Sequence, residues 1–154
     1  MAVATTLLET VHKGFDYAYG LSADIALRSY VKGFYNSVNP SNGLERKILS
    51  TNGQLHINDV EGNVKTICGI MGKKPSEELT AAALCHDLGY LAHLIDSSIP
   101  ASYGEDHHVK SAIVCEGYLG AAGYSKDKIS KIKGIIEAHD DDMPHFTDDQ
   151  IACL

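Results

Sequence analysis

The chain has no run of about 18 apolar residues, the least that crosses a bilayer as a helix, so the sequence offers no membrane-spanning segment. Its first residues, MAVATTLLETVHKGFDYAYG, lack the Lys/Arg cluster and following apolar stretch of a secretory leader, and the cytoplasm is the expected location. Basic residues are scarce: 13 Lys and Arg against 20 Asp and Glu give a formal net charge of −7. A protein that grips a phosphate backbone usually carries a basic face, so a nucleic-acid polymer is a poor partner. An acidic protein can still take a small phosphorylated substrate if a metal ion supplies the positive charge. Cysteine is limited to Cys68, Cys85, Cys115 and Cys153, with no C-x-x-C pair. That argues against a zinc knuckle or a disulfide framework and for small buried hydrophobes in a reducing compartment.

Internal repeats are missing and alternating strand patterns are scarce, while 44% of the residues are hydrophobic, enough for a core in one domain. Apolar periodicity and breakers predict helices over 3–18 and 22–36, separated by turn chemistry at Gly20 and Ser22. The clearest loop runs from Asn39 to Gly43, and 44–52 reads as a short helical or irregular stretch. Four further helical segments follow at roughly 56–71, 77–95, 107–120 and 126–139, with Ser76, Asp106 and Ser125 as N-caps. The expected fold is all-α, with residues 1–50 as an N-terminal helical extension and 51–154 as a second, chemistry-bearing unit.

That chemistry begins in the segment EELTAAALCHDLGYLAHLI, where His86–Asp87 interrupts an apolar stretch. Neighbouring positions are about 100° apart on a helix, so both side chains can reach one edge. A buried carboxylate needs compensation. A salt bridge or hydrogen-bonded pair supplies it in the simpler case. A divalent metal ion is the alternative, and it suits an imidazole beside a carboxylate. The other helices favour the metal. His56 shares a predicted face with Val60, Val64, Ile67 and Met71. His108 shares one with Ala112, Cys115 and Leu119, and His139 one with Ile129, Ile132 and Ile136. Four helices aiming such groups inward would leave many buried polar atoms without partners unless they share a centre.

In order, the elements LHINDVEGNVKTI, LTAAALCHDLGYL, DHHVKSAIVCEGYL and IKGIIEAHDDD resemble the HD-domain superfamily of metal-dependent phosphohydrolases, and AALCHDLGY is similar to its central motif. The resemblance covers about residues 50–154 and implies an HD-domain-like helical bundle. It implies His86 and Asp87 as central ligands and catalytic residues, with Asp87 able to bridge two metals, and His56 as the first-helix ligand. Many members carry that histidine one turn later, where this chain has Val60. His108 and His139 would hold a second ion. His107 is the rival to His108, and the apolar stripe favours His108. One or two divalent ions per chain are implied, drawn from Mn, Fe, Co, Zn and Mg, with metal-activated water attacking a phosphomonoester or phosphodiester, nucleotides first among them. The same donor set permits a di-iron oxygenase, and a non-catalytic signalling module is the third reading. The family's late aspartate has no match here: a helix beginning near Asp148 stops at Leu154, so a C-terminally truncated fragment is expected. Among the other polar residues, His93 reads as a satisfied histidine, Lys110 as a solvated lysine, and Asp140 to Asp142 as a solvated helix end. Tyr30, Phe34 and Tyr35 read as packing residues.

Overall fold

A computed structural model describes residues 22–100 and 106–139. The predicted helix over 3–18, the late segment from Asp148, Cys153 and the Asp140 to Asp142 run lie outside the described residues. The described chain is all-α. Its helices are α1 (Ala23–Ser37), α2 (Gly43–Asn52), α3 (Gln54–Ile70), α4 (Glu77–Cys85), a 3-10 turn (Leu88–Leu91), α5 (Ala92–Ile95), α6 (His107–Ala121) and α7 (Lys126–Ala138). Among the described residues no helix is long and apolar enough to cross a membrane.

Local chemistry accounts for the boundaries. The Ser76 and Ser125 side chains accept from the backbone N–H groups of Leu79 and Lys128, as N-caps should. Asp106 precedes α6 but makes no side-chain cap. Asn42 caps α2 by accepting from Leu44 and Glu45, and the Glu45 side chain reaches back to the Ser41 N–H at 2.5 Å. This reciprocal pairing makes 43–52 a regular helix. Gly72 and Gly123, at φ 69° and 90°, end α3 and α6 in the left-handed conformation that favours glycine.

One core joins these helices. Leu27, Val31 and Phe34 of α1 lie in the same buried cluster as Leu84, Leu119 and Ile132 from α4, α6 and α7. The helix before residue 50 is thus packed into the core that carries the histidine helices. Burying a residue such as Leu119 stabilises the fold by about 1.5–3 kcal/mol. Tyr30, Phe34 and Tyr35 are buried as packing residues. Cys68, Cys85 and Cys115 are buried and not joined in disulfides, and burial pushes the Cys115 thiol up to about 12. A buried carboxylate, Glu61, ties α3 to α1 through Arg28 and is flanked by Lys65.

Two expectations about faces change. In α3 the buried positions are Ile57, Glu61, Val64 and Cys68, one register away from the predicted stripe. Val60 is half-buried and Met71 exposed, so His56 heads the edge of the buried face. The segment 77–95 is not one helix: α4 ends at Cys85, and the chain turns through His86 and Asp87 into the 3-10 turn.

Candidate metal centre

Five elements deliver side chains to one spot. His56 comes from the first turn of α3, His86 from the C-cap of α4, Asp87 from the turn behind it, His107 from the first residue of α6 and His139 from the C-cap of α7. His86 and His139 use the same device. Each ring Nδ1 lies within hydrogen-bond distance of the carbonyl three residues back, Ala83 at 2.9 Å and Ile136 at 2.6 Å. A carbonyl only accepts, so Nδ1 carries a proton and Nε2 is the ring atom that faces the centre. Each last-turn carbonyl thereby gains a donor, and each imidazole gains a fixed orientation.

The Nε2 atoms of His56 and His86 are 3.3 Å apart, and those of His107 and His139 are 3.1 Å apart. Donors held about 2.0–2.1 Å from one tetrahedral ion lie about 3.3 Å from each other. Asp87 stands between the two pairs. Its Oδ2 is 3.2 Å from His56 Nε2 and 3.3 Å from His86 Nε2, while Oδ1 is 3.5 Å from His107 Nε2. Two groups of donors follow, His56–His86–Asp87 and Asp87–His107–His139, each with ligand atoms within 4.8 Å of one another. The residues present therefore fit one or two divalent cations. Asp87 is 3% exposed. Burial pulls its carboxyl up, but the hydrogen bond and charge of His86, the Asn52 amide and the charge of His56 outweigh that and hold it below the usual carboxylate value.

Four sequence-derived residues, His56, His86, Asp87 and His139, thus come together. The α6 histidine in ligand distance is His107, not His108. His107 is buried and its ring stacks on Tyr90, with centroids 4.2 Å apart and planes 11° off parallel. His108 lies beside the pair, its ring centroid 5.7 Å from that of His107 and 6.2 Å from that of His139, outside both donor groups. Gly89 selects this register. A Cβ there would fall 2.6 Å from the Ser111 nitrogen and closer still to the His107 carbonyl oxygen, so only glycine lets the 3-10 turn lie against the start of α6. The Gly89 N–H donates to the buried Ser111 hydroxyl at 2.7 Å, which locks the approach.

Other residues fall elsewhere. His93 Nε2 lies 3.4 Å from Glu45 Oε1, so it belongs to the polar group at the start of α2. Lys110 is buried rather than solvated, with its ammonium 3.1 Å from Asp106. A recess of about 240 Å³ opens beside the centre, with His56, His86 and His139 on its wall and Val60, Val64 and Leu79 among its apolar lining. Sequence reasoning missed Asn52, whose amide donates to Asp87 Oδ2 at 2.9 Å.

Comparison with protein-family models, with curated proteins and with solved structures gave no match.

Proposed function

We propose that this chain is an HD-type metal-dependent phosphohydrolase acting on a small phosphomonoester or phosphodiester, with nucleotides the first substrates to test. The observation that carries the reading is the placement of Asp87, a buried carboxylate with one oxygen toward His56 and His86 and the other toward His107. Among the described residues no Lys or Arg pairs with it; of the other two buried carboxylates, Glu61 takes Arg28 and Lys65, and Glu45 is held by Ser41 and His93. A carboxylate ringed by imidazole Nε2 atoms suits cations such as Mn²⁺, Fe²⁺, Co²⁺ or Zn²⁺. The motif order resembling the HD superfamily supports the same reading.

The chemistry that such cations supply when bound is Lewis acidity, which lowers the pKa of coordinated water and offsets charge on phosphoryl oxygens. The chain's own residues do the holding. His86 and His139 keep their protons on Nδ1 and present Nε2 without a tautomer change. Asp87 stays ionised and gives one oxygen to each donor group. Tyr90 holds the His107 ring flat against its own and so limits its rotation. The open recess beside His56, His86 and His139 gives a substrate a path to the donors.

The test is to load the purified chain with Mn²⁺, Fe²⁺, Co²⁺ or Zn²⁺, count ions per chain and measure hydrolysis of p-nitrophenyl phosphate and bis-p-nitrophenyl phosphate. Bound metal with hydrolysis that vanishes in Asp87→Ala is the expected result. Two irons with a visible absorption band and no hydrolysis would point to an oxygenase instead. A folded chain without tightly bound metal would leave only a non-catalytic module.

A further inference from the structure

Asp87 has one more neighbour, and it comes from outside the histidine helices. Asn52 is the last residue of α2, and its side-chain Nδ2 lies 2.9 Å from Asp87 Oδ2. A carboxylate oxygen only accepts, so the amide presents its NH₂ group and donates. The contacted oxygen is the one shared by His56 and His86. Oδ1 is left to the His107 side. The tight α2–α3 connection makes this possible. Its single linking residue is Gly53, where a Cβ would collide with the Leu49 carbonyl oxygen. The end of α2 and the first turn of α3 are thereby held together, so Asn52 and His56 reach the same carboxylate oxygen from adjacent positions.

We propose that Asn52 is a positioning residue of the metal centre: its amide fixes the rotation of the Asp87 carboxylate so that Oδ2 serves His56 and His86 while Oδ1 serves His107 and His139. A carboxylate free to turn about its terminal bond gives the two donor groups up together. One amide hydrogen bond restrains that turn without adding charge. It also leaves Oδ2 a second lone-pair direction for a cation. The inference rests on the metal-centre part of the proposed function and is independent of the hydrolytic part.

Zinc and cobalt affinities of Asn52→Ala and the parent chain, measured by competition with a chromophoric chelator, test it. Partners that orient a metal-binding residue typically change affinity by about 10–100-fold, and a loss of that size is expected here. Circular dichroism keeps the comparison to folded protein. If Asn52→Ala does not hold its helices, Asn52→Ser replaces it, since serine is small, polar and too short to reach Oδ2. Asn52→Asp gives an opposite signature: a second carboxylate beside Asp87 lowers the melting temperature of the metal-free protein, and added zinc raises it by more than in the parent chain. A purely packing role for Asn52 would lower melting temperatures and leave the affinity of the folded protein within twofold of the parent, which overturns the proposal. If metal binds with the expected loss in Asn52→Ala and no phosphate ester is cleaved, the positioning role stands and the hydrolase reading falls. If the parent chain binds neither metal, both fall.

Discussion

Gly89→Ala is the most informative single-atom perturbation of the centre. The added Cβ would lie 2.6 Å from the Ser111 nitrogen and 2.8 Å from the His107 carbonyl carbon, where ordinary contact begins at 3.4 Å. All the neighbours it meets are backbone atoms, so no side chain can swing aside. The His107 carbonyl oxygen is the nearest of them, and to clear it the 3-10 turn and the start of α6 must separate by more than about 1 Å. His107 now sits 3.5 Å from Asp87 and 3.1 Å from His139. A shift of that size exceeds the roughly 0.5 Å tolerance of a preorganised site. It also stretches the 2.7 Å hydrogen bond from Gly89 to Ser111. Overpacking costs about 1–3 kcal/mol, and the weakened buried hydrogen bond adds about 1 kcal/mol. At about 2–4 °C per kcal/mol for a chain near this size, the melting temperature should fall by roughly 5–15 °C. Metal content should drop by one ion per chain, because the Asp87–His107–His139 group is the one displaced. Thermal denaturation by circular dichroism and elemental analysis read both quantities. A Gly89→Ala protein that melts within about 2 °C of the parent and keeps its full metal content would refute the argument that glycine is what sets the register of His107.

Other substitutions separate the groups. His107→Gln should cost one ion per chain while His108→Gln leaves the count unchanged, by elemental analysis; the reverse pattern would restore the stripe-based choice of His108. His139→Gln should lower stoichiometry from two to one with the fold intact, whereas Asp87→Ala, which empties both groups, should lower it to zero. Stability should depend on pH through Glu61, whose carboxyl is held below its ordinary 4.5 first by the Arg28 hydrogen bond, against burial, and then by Lys65. A lowered folded pKa stabilises above the ordinary value and loses that contribution as pH falls from 4.5 through the folded value. Arg28→Met should flatten this acid limb in urea denaturation below pH 5 and cost about 1–3 kcal/mol at neutral pH, and an unchanged limb would remove Glu61 from the account.

The all-α class, most helix bounds and the caps at Ser76 and Ser125 were legible because they depend on local patterning. His56, His86, Asp87 and His139 were legible as apolar-face anomalies, although the stripe that singled out His56 lies one register off. His107 was not. The buried side of α6 is broad, with His107, Ser111 and Val114 on one flank and Ala112, Cys115 and Leu119 on the other. A stripe read from hydrophobicity alone favours the apolar flank and so His108. The signal that picks His107 is the Ser111 hydroxyl one turn on, together with a glycine just after His–Asp, and both gain meaning only when the two segments touch. Asn52 was invisible for the same reason, since its partner lies 35 residues away.

The largest departure from the sequence-based expectation also explains the centre. On an unbroken helix His86 and Asp87 would stand about 100° apart and could share no more than one edge. The chain instead leaves the α-helix at His86, and Asp87 takes φ −105° and ψ 5°. This bridge-region conformation is a recurrent one for active-site residues. It folds the carboxylate back until Oδ2 is 3.3 Å from the Nε2 of its own neighbour. The break exposes backbone groups that a continuous helix would satisfy, and two of them find partners at once. The Ala83 carbonyl takes the His86 Nδ1 proton, and the Gly89 N–H goes to Ser111. Each compensating bond aims a donor: the first turns His86 Nε2 inward, and the second holds α6 where its first residue meets Asp87. Helix termination and ligand placement are therefore one event at His86–Asp87. A Ser111→Ala change, which deletes only the second of these bonds, should lower stability by about 1–2 kcal/mol and loosen the His107 side of the centre before the His56 side.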